Sequence, residues 1–257
     1  MKDVDRITSR ANPRFKALKA ELSPTGPRRT RTLLLGAKLI EAWAEVAKTE
    51  AGSRFKPLQW LSLEGGDPHP LERRLHLETW ALGEGLMRDL AEAGSPPQHA
   101  LLMEVGPESA GSLPSKVIVP WGIQDPGNLG AVLRSASAFG FQMALLGPGC
   151  ADPFSPKALR GTMGAAFLLP IRRCEALAPD PGHWYALHGG AGALPIGEAD
   201  LSDPVRILVG NEGHGWAGET LPPDLRFLAI PIQGVESLNA SVAAGIACYE
   251  TARRGSR

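Results

Sequence analysis

From Lys116 onward, short apolar runs alternate with segments of helical periodicity, and that alternation restricts the chain to very few folds. The spacing predicts strands at Lys116–Pro120, Gln142–Leu146, Ala166–Leu169, Trp184–His188, Arg206–Val209 and Arg226–Pro231. It predicts helices at Leu129–Phe139 and Pro156–Met163, and a last one from about Ser237 to Arg253. Strands and helices in this order build an α/β fold whose mostly parallel sheet is covered on both faces. Ligands on such sheets sit at the carboxyl ends of strands, so the loops that leave those ends are where function is expected.

A second, smaller α/β unit is expected ahead of it. Apolar runs at Leu33–Leu35, Gln59–Leu63 and Ala100–Met103 are interleaved with helical stretches at Ala37–Lys48 and Gly85–Ala93. Gly106–Ser115, rich in Gly, Pro and Ser and without periodicity, reads as the linker. The expected division is therefore 1–110 and 111–257. Hydrophobic residues at 43% and charged residues at 21% exclude disorder and coiled coil. Stretches without charge, such as Ser135–Ala151 and Pro181–Gly197, are too short and too broken by Gly and Pro for a membrane span. The first residues show no apolar signal core, and three widely spaced cysteines argue against a disulfide framework or a CxxC metal site. A cytoplasmic location is expected.

The 27 basic and 27 acidic residues cancel, which on its face speaks against a nucleic-acid partner. The average conceals a gradient: nine basic against three acidic residues leave Met1–Arg31 at +6. Such an arm is either a solvated surface or a set of phosphate contacts. Arg10, Arg14, Lys16, Arg28 and Arg29 are the candidates for RNA contact.

Common chemistries lack their motifs. Gly147-Pro148-Gly149 has no third glycine for a dinucleotide loop, and no GxxxxGK[ST] occurs. Six histidines form no metal-ligand spacing, and Gly234-Val235-Glu236-Ser237 is not a nucleophile elbow. No metal is expected.

Three loops carry more polar residues than a core needs. Asp125-Pro126-Gly127-Asn128 opens a helix with Arg134 six residues on; Asn128 serves either as an N-cap or, with Arg134, as part of an anion site. Val209-Gly210-Asn211-Glu212-Gly213-His214-Gly215 puts three glycines and a carboxylate at a strand end, which suits close approach of a ligand or a plain surface turn. Glu236, Ser237, Asn239 and Ser241 cluster at the start of the final helix, where one cap would suffice. The buried stripe of that helix is expected to be Leu238, Val242, Ile246 and Tyr249.

In this order, DPGNLGAVLRSASAFG, ILVGNEGHG and IPIQGVESLNASVAAGI resemble the three motifs of the SpoU/TrmH family of RNA ribose 2′-O-methyltransferases, of the SPOUT class. The resemblance covers roughly Val117 to Arg253. Ile7-Thr8-Ser9, Asn12-Pro13 and Ser95–Val105 more distantly resemble the family's ribosomal-protein-like substrate-binding domain. The likeness implies a trefoil-knotted sheet, S-adenosylmethionine as cofactor and a homodimer with its active site near the subunit interface. It implies cofactor contacts from His188, Gly189, Gly210, Asn211, Gly213, Ile230, Ile232 and Leu238. It also assigns Arg134 as the central catalytic residue, Asn128 as its orienter or that of the ribose, Glu212 as the positioner of the guanidinium, and Ser237 and Asn239 as partners of the hydroxyl. The implied partner is RNA, ribosomal ahead of transfer RNA. The competing classes are a non-catalytic RNA-binding relative and a nucleotide-dependent oxidoreductase, which would respond to NAD and not to S-adenosylmethionine.

Overall fold

The computed structural model describes residues 5–23, 29–91, 95–178, 180–190, 192–210, 216 and 220–255. They form two compact units, 1–107 with 154–167, and 108–153 with 168–257.

The first unit runs β1 (Asp5–Ile7), α1 (Pro13–Leu22), β2 (Arg31–Leu35), α2 (Ala37–Val46), α3 (Glu50–Ser53), β3 (Phe55–Leu63), α4 (Pro70–Leu75), β4 (Thr79–Leu82), α5 (Glu84–Ala91) and β5 (His99–Val105). Its sheet has the order β1-β4-β3-β5-β2, parallel from β1 to β3 and antiparallel from β3 to β2. Leu33, Leu61, Leu82, Met87, Ala100 and Leu102 belong to its buried core. Segment 154–167 lies among the later strands in sequence but packs with this unit. Thr32 Oγ1 donates to the Phe154 carbonyl at 2.5 Å, and the Phe55 ring meets those of Phe154 and Phe167 edge-on at 5.6 and 5.0 Å. Gly164, with φ +96°, permits this packing, since a Cβ there would stand 2.7 Å from that of Ala42.

The second unit holds β6 (Lys116–Pro120), α6 (Pro126–Ala138), β7 (Met143–Leu146), β8 (Ile171–Arg173), β9 (His183–Leu187), β10 (Leu194–Pro195), β11 (Val205–Val209), β12 (Arg226–Ala229) and α8 (Ala240–Gly255); α7 (Pro156–Thr162) belongs to the first unit. The strands pair in the order β10-β12-β9-β11-β6-β7-β8, and every pairing is parallel. Central β11 is buried along its whole length, which explains the apolar residues that make up all of it but Arg206.

Three expectations are corrected. The strand expected at Ala166–Leu169 is instead a 3-10 turn over Ala165–Phe167, because a short apolar run fits a buried turn as well as a strand. The last helix starts at Ala240 and not at Ser237. Its buried residues are Ala240, Ala244, Ala247, Cys248 and Thr251, whereas Val242 and Tyr249 are each 50% exposed. Small side chains win the inner face because α8 lies close against α6: a Cβ on Gly245 would come within 3.4 Å of Ser135 Oγ.

A buried histidine pair makes the first unit sensitive to acid. His69 and His99 are 8% and 7% exposed, with ring centroids 5.2 Å apart, and both border Trp60. His69 Nδ1 accepts from the Leu71 amide, which leaves Nε2 as the protonated nitrogen facing Glu41 at 3.2 Å. Burial, followed by the nearby His69, holds the His99 imidazole below the ordinary histidine pKa, with Glu72 opposing. A lowered folded value means that protons bind the unfolded chain first, so this stability is complete above about pH 6.5 and declines as pH falls. Chemical denaturation followed from pH 7.5 to 5.5 is expected to show a falling midpoint, with a flatter slope in His99→Phe.

Candidate active site

The site begins where β6 ends. Its exit loop is pinned by the Trp121 amide on the Val209 carbonyl, the Gly122 amide on Pro148 and the Ala151 amide on Ile123, at 2.9, 3.0 and 2.8 Å. Asp125 then caps α6, its Oδ1 accepting from the Asn128 amide at 2.9 Å, with Pro126 in the first turn. The cap is thus Asp125 and not Asn128, because the extra turn from Pro126 places Asn128 inside the helix. The Asn128 side chain is consequently free for other work.

That work is a bond to the start of α8. Asn239 Nδ2 donates to Asn128 Oδ1 at 3.3 Å. Asn239 Oδ1 accepts from the Ser241 amide at 3.0 Å and from its hydroxyl at 2.6 Å, while the Asn239 carbonyl receives the Ala243 amide. Asn239 is therefore the cap of α8, and this network fixes which end of its amide faces Asn128. Asn128 Nδ2 remains a donor directed away from Asn239.

Beside this bridge, at the carboxyl ends of β9, β11 and β12, lies a cavity of about 350 Å³. His188, Gly189, Gly210, Ile230, Ile232 and Leu238 all line it, so six of the eight predicted cofactor residues converge on one space. Ser237 lines it too. Gly189 leaves room there, since a Cβ on it would meet nothing closer than the Glu236 carbonyl at 3.8 Å. The size falls in the range of small-molecule sites. Aliphatic walls from Leu187, Val209, Leu228 and Leu238, with hydroxyl and peptide groups at the edge, fit a purine nucleoside with a polar tail. Trp216, absent from the expectations, also lines the cavity; a strand-end aromatic just beyond the glycine loop was the available signal.

Arg134 lies six residues beyond Asn128 on α6, about 9 Å along the axis. It is exposed, has no ion-pair partner among the described residues and is not part of the cavity lining. Glu212, Asn211 and Gly213 lie outside the described residues, as does Arg28. The basic N-terminal side chains are less available than their count suggests. Arg10 is bidentate to Asp89 at 2.5 and 2.8 Å, Arg14 pairs with Asp5, and Arg29 donates to the Leu22 carbonyl at 2.6 Å. Lys16 is exposed.

A parallel sheet with its ligand cavity at the carboxyl ends, edged by side-chain amides from two adjoining helices, defines a small-molecule-dependent α/β protein. The chain belongs to the SpoU rRNA Methylase family, whose profile matches residues 115–249. It is 33% identical over 189 residues to the 23S rRNA (guanosine(2553)-2'-O)-methyltransferase RlmP of Bacillus subtilis, covering 70% of this chain and 75% of that one. It is 37% identical over 139 residues to an uncharacterized tRNA/rRNA methyltransferase of Synechocystis, covering 51% of each. The chain thus spans about half the length of some curated relatives. Among solved structures, an RNA 2'-O ribose methyltransferase superposes with TM-score 0.74 at 31% identity over 98% of this chain and 99% of that one. AviRb of Streptomyces viridochromogenes, at 23% identity and TM-score 0.78 over 95% and 98% of the chains, shares the fold.

The double duty of Asn239 can be separated. Asn239→Asp keeps the cap but replaces the N–H donor that faces Asn128, whereas Asn239→Ala loses both. Thermal unfolding is expected to show a loss of about 1 kcal/mol for alanine and less than half of that for aspartate.

Proposed function

We propose that this protein transfers the methyl group of S-adenosylmethionine to a ribose 2′-hydroxyl of RNA. The observation that carries the reading is the hydrogen bond from Asn239 to Asn128, because it joins the cavity lining at Ser237 and Leu238 directly to the helix that bears Arg134. When bound, the cofactor supplies a methyl group on a cationic sulfur, open to in-line attack.

The chain's own residues provide position and charge. Leu187, Val209, Leu228, Ile230 and Leu238 surround the nucleoside part and exclude water from it. Asn128 Nδ2 and Ser237 Oγ orient the ribose at the cavity edge. The role of the Arg134 guanidinium is to clamp the neighbouring phosphate and stabilise charge growing on the ribose oxygen, while the hydroxyl proton leaves to water at the exposed edge. Glu212 is assigned by resemblance to holding the guanidinium, as Asn211 and Gly213 are to the cofactor.

Ribosomal RNA is the favoured substrate class, supported by the naming of the Bacillus relative. Residues 1–110 serve recognition and 111–257 methyl transfer in this reading, with Lys16 exposed and without an ion-pair partner among the described residues. A homodimer is part of it: Val242 and Tyr249 are half-exposed on α8, and Tyr249 meets Phe139 of α6 at 5.8 Å, giving an apolar helix face for a second copy. The knotted threading of the 230–239 segment and a cytoplasmic location belong to the same proposal. No helix among the described residues is long and apolar enough to cross a membrane.

Arg134→Ala is expected to lower transfer of labelled methyl to ribosomal RNA by about 100-fold or more. Cofactor affinity measured by calorimetry should stay within about twofold of the unaltered chain. Near-normal transfer by this variant would remove Arg134 from the reaction. Light scattering should give a dimer mass, reduced toward the monomer in Val242→Glu/Tyr249→Glu.

A further inference from the structure

Trp216 stands outside every role assigned so far, yet its indole makes specific contacts at two strand ends. Its indole is 8% exposed and lines the cavity. Nε1–H donates to the Leu187 carbonyl at the end of β9, at 3.1 Å, which fixes the plane of the ring. The ring also lies on Gly210 at the end of β11, where a Cβ would approach three of its carbons or bridge atoms to between 3.0 and 3.3 Å. A side chain at 210 would therefore press on the indole by a few tenths of an ångström. Trp216 belongs to the same buried cluster as Val119, Trp121, Ala186 and Leu208.

We propose that Trp216 is the aromatic wall against which the adenosine moiety of S-adenosylmethionine packs, and so a positioning residue for the methyl donor. The inference rests on the reading of the cavity given above. A leucine would lack both the N–H that bonds Leu187 of β9 and a flat, rigid face. Leu228, Ile230 and Leu238, which also line the cavity, are aliphatic, so the tryptophan is the one aromatic platform among the described lining residues apart from the His188 imidazole. His188 is already engaged with Phe227, at 5.1 Å between ring centroids. A planar heteroaromatic base gains most from such a face, since stacking adds to the burial that an aliphatic wall alone provides.

The test uses the full chain, titrated with S-adenosylmethionine and separately with S-adenosylhomocysteine, and followed by tryptophan emission and by calorimetry. The unaltered chain is expected to bind both with quenching of emission. In Trp216→Phe, most of the quench disappears although five tryptophans remain, and affinity drops only a few-fold. Trp216→Leu should weaken binding about tenfold. Circular dichroism verifies folding, and if leucine proves unstable the phenylalanine comparison decides. Full quenching in Trp216→Phe, or unchanged affinity in folded Trp216→Leu, overturns the role of Trp216 while leaving the cavity's cofactor intact. Absence of any binding heat with the unaltered chain overturns the reading of the cavity and this inference with it.

Discussion

All pairings in the second sheet are parallel, and the rest of that unit follows from this one constraint. Parallel strands present every outgoing loop at the same edge, so residues distant in sequence must meet there. The opposite edge is closed by charge pairing. Arg206, 2% exposed near the start of β11, gives Nε and Nη2 to Asp180 at 2.9 and 2.5 Å and Nη1 to the Ser115 carbonyl at 2.9 Å. Burying a guanidinium is tolerable only with its donors satisfied in this way. The amino edge is therefore spent on structure, and the polar groups with spare hydrogen-bonding capacity lie at the carboxyl edge.

Bringing α8 close enough for Asn239 to reach Asn128 requires a helix face with little volume. Gly245, Ala244, Ala247 and Cys248 supply it, and Thr251 satisfies its hydroxyl on the Ala247 carbonyl at 2.8 Å. The cost appears on the other side, where Val242 and Tyr249 face outward and leave an apolar strip that a lone helix would not select. Close packing at the site and apolar exposure away from it are two results of one distribution of side-chain sizes.

The order of elements and the cavity lining were legible because both are local. Strand runs of β-branched residues and the glycine loops after them are written in consecutive residues, and six predicted cofactor positions share one cavity. What could not be read was tertiary. Asn128 looked like a cap because Asn is a good one, but Asp125 is three residues upstream and takes the bond. The inner face of α8 was misassigned because periodicity ranks faces by hydrophobicity, whereas proximity to α6 selects by size. The allegiance of 154–167 to the first unit depends on Thr32, Ala42 and Phe55, about 100 residues or more away, and nothing near Gly164 announces them.

The zero net charge acquires a physical meaning from the same pairings. The +6 of the first 31 residues is in part an intramolecular matter, since Arg10, Arg14 and Arg31 each face a carboxylate of their own unit. A cation already paired releases few counterions on meeting a phosphate, for its carboxylate must first be displaced or carried along. On the proposed reading Arg134, which has no ion-pair partner among the described residues, is then worth more than these paired arginines, and binding should depend on salt with a shallow slope. Recognition would have to come from RNA shape and from the ordered cavity edge, where Asn128, Ser237 and Asn239 offer directional bonds that salt does not screen.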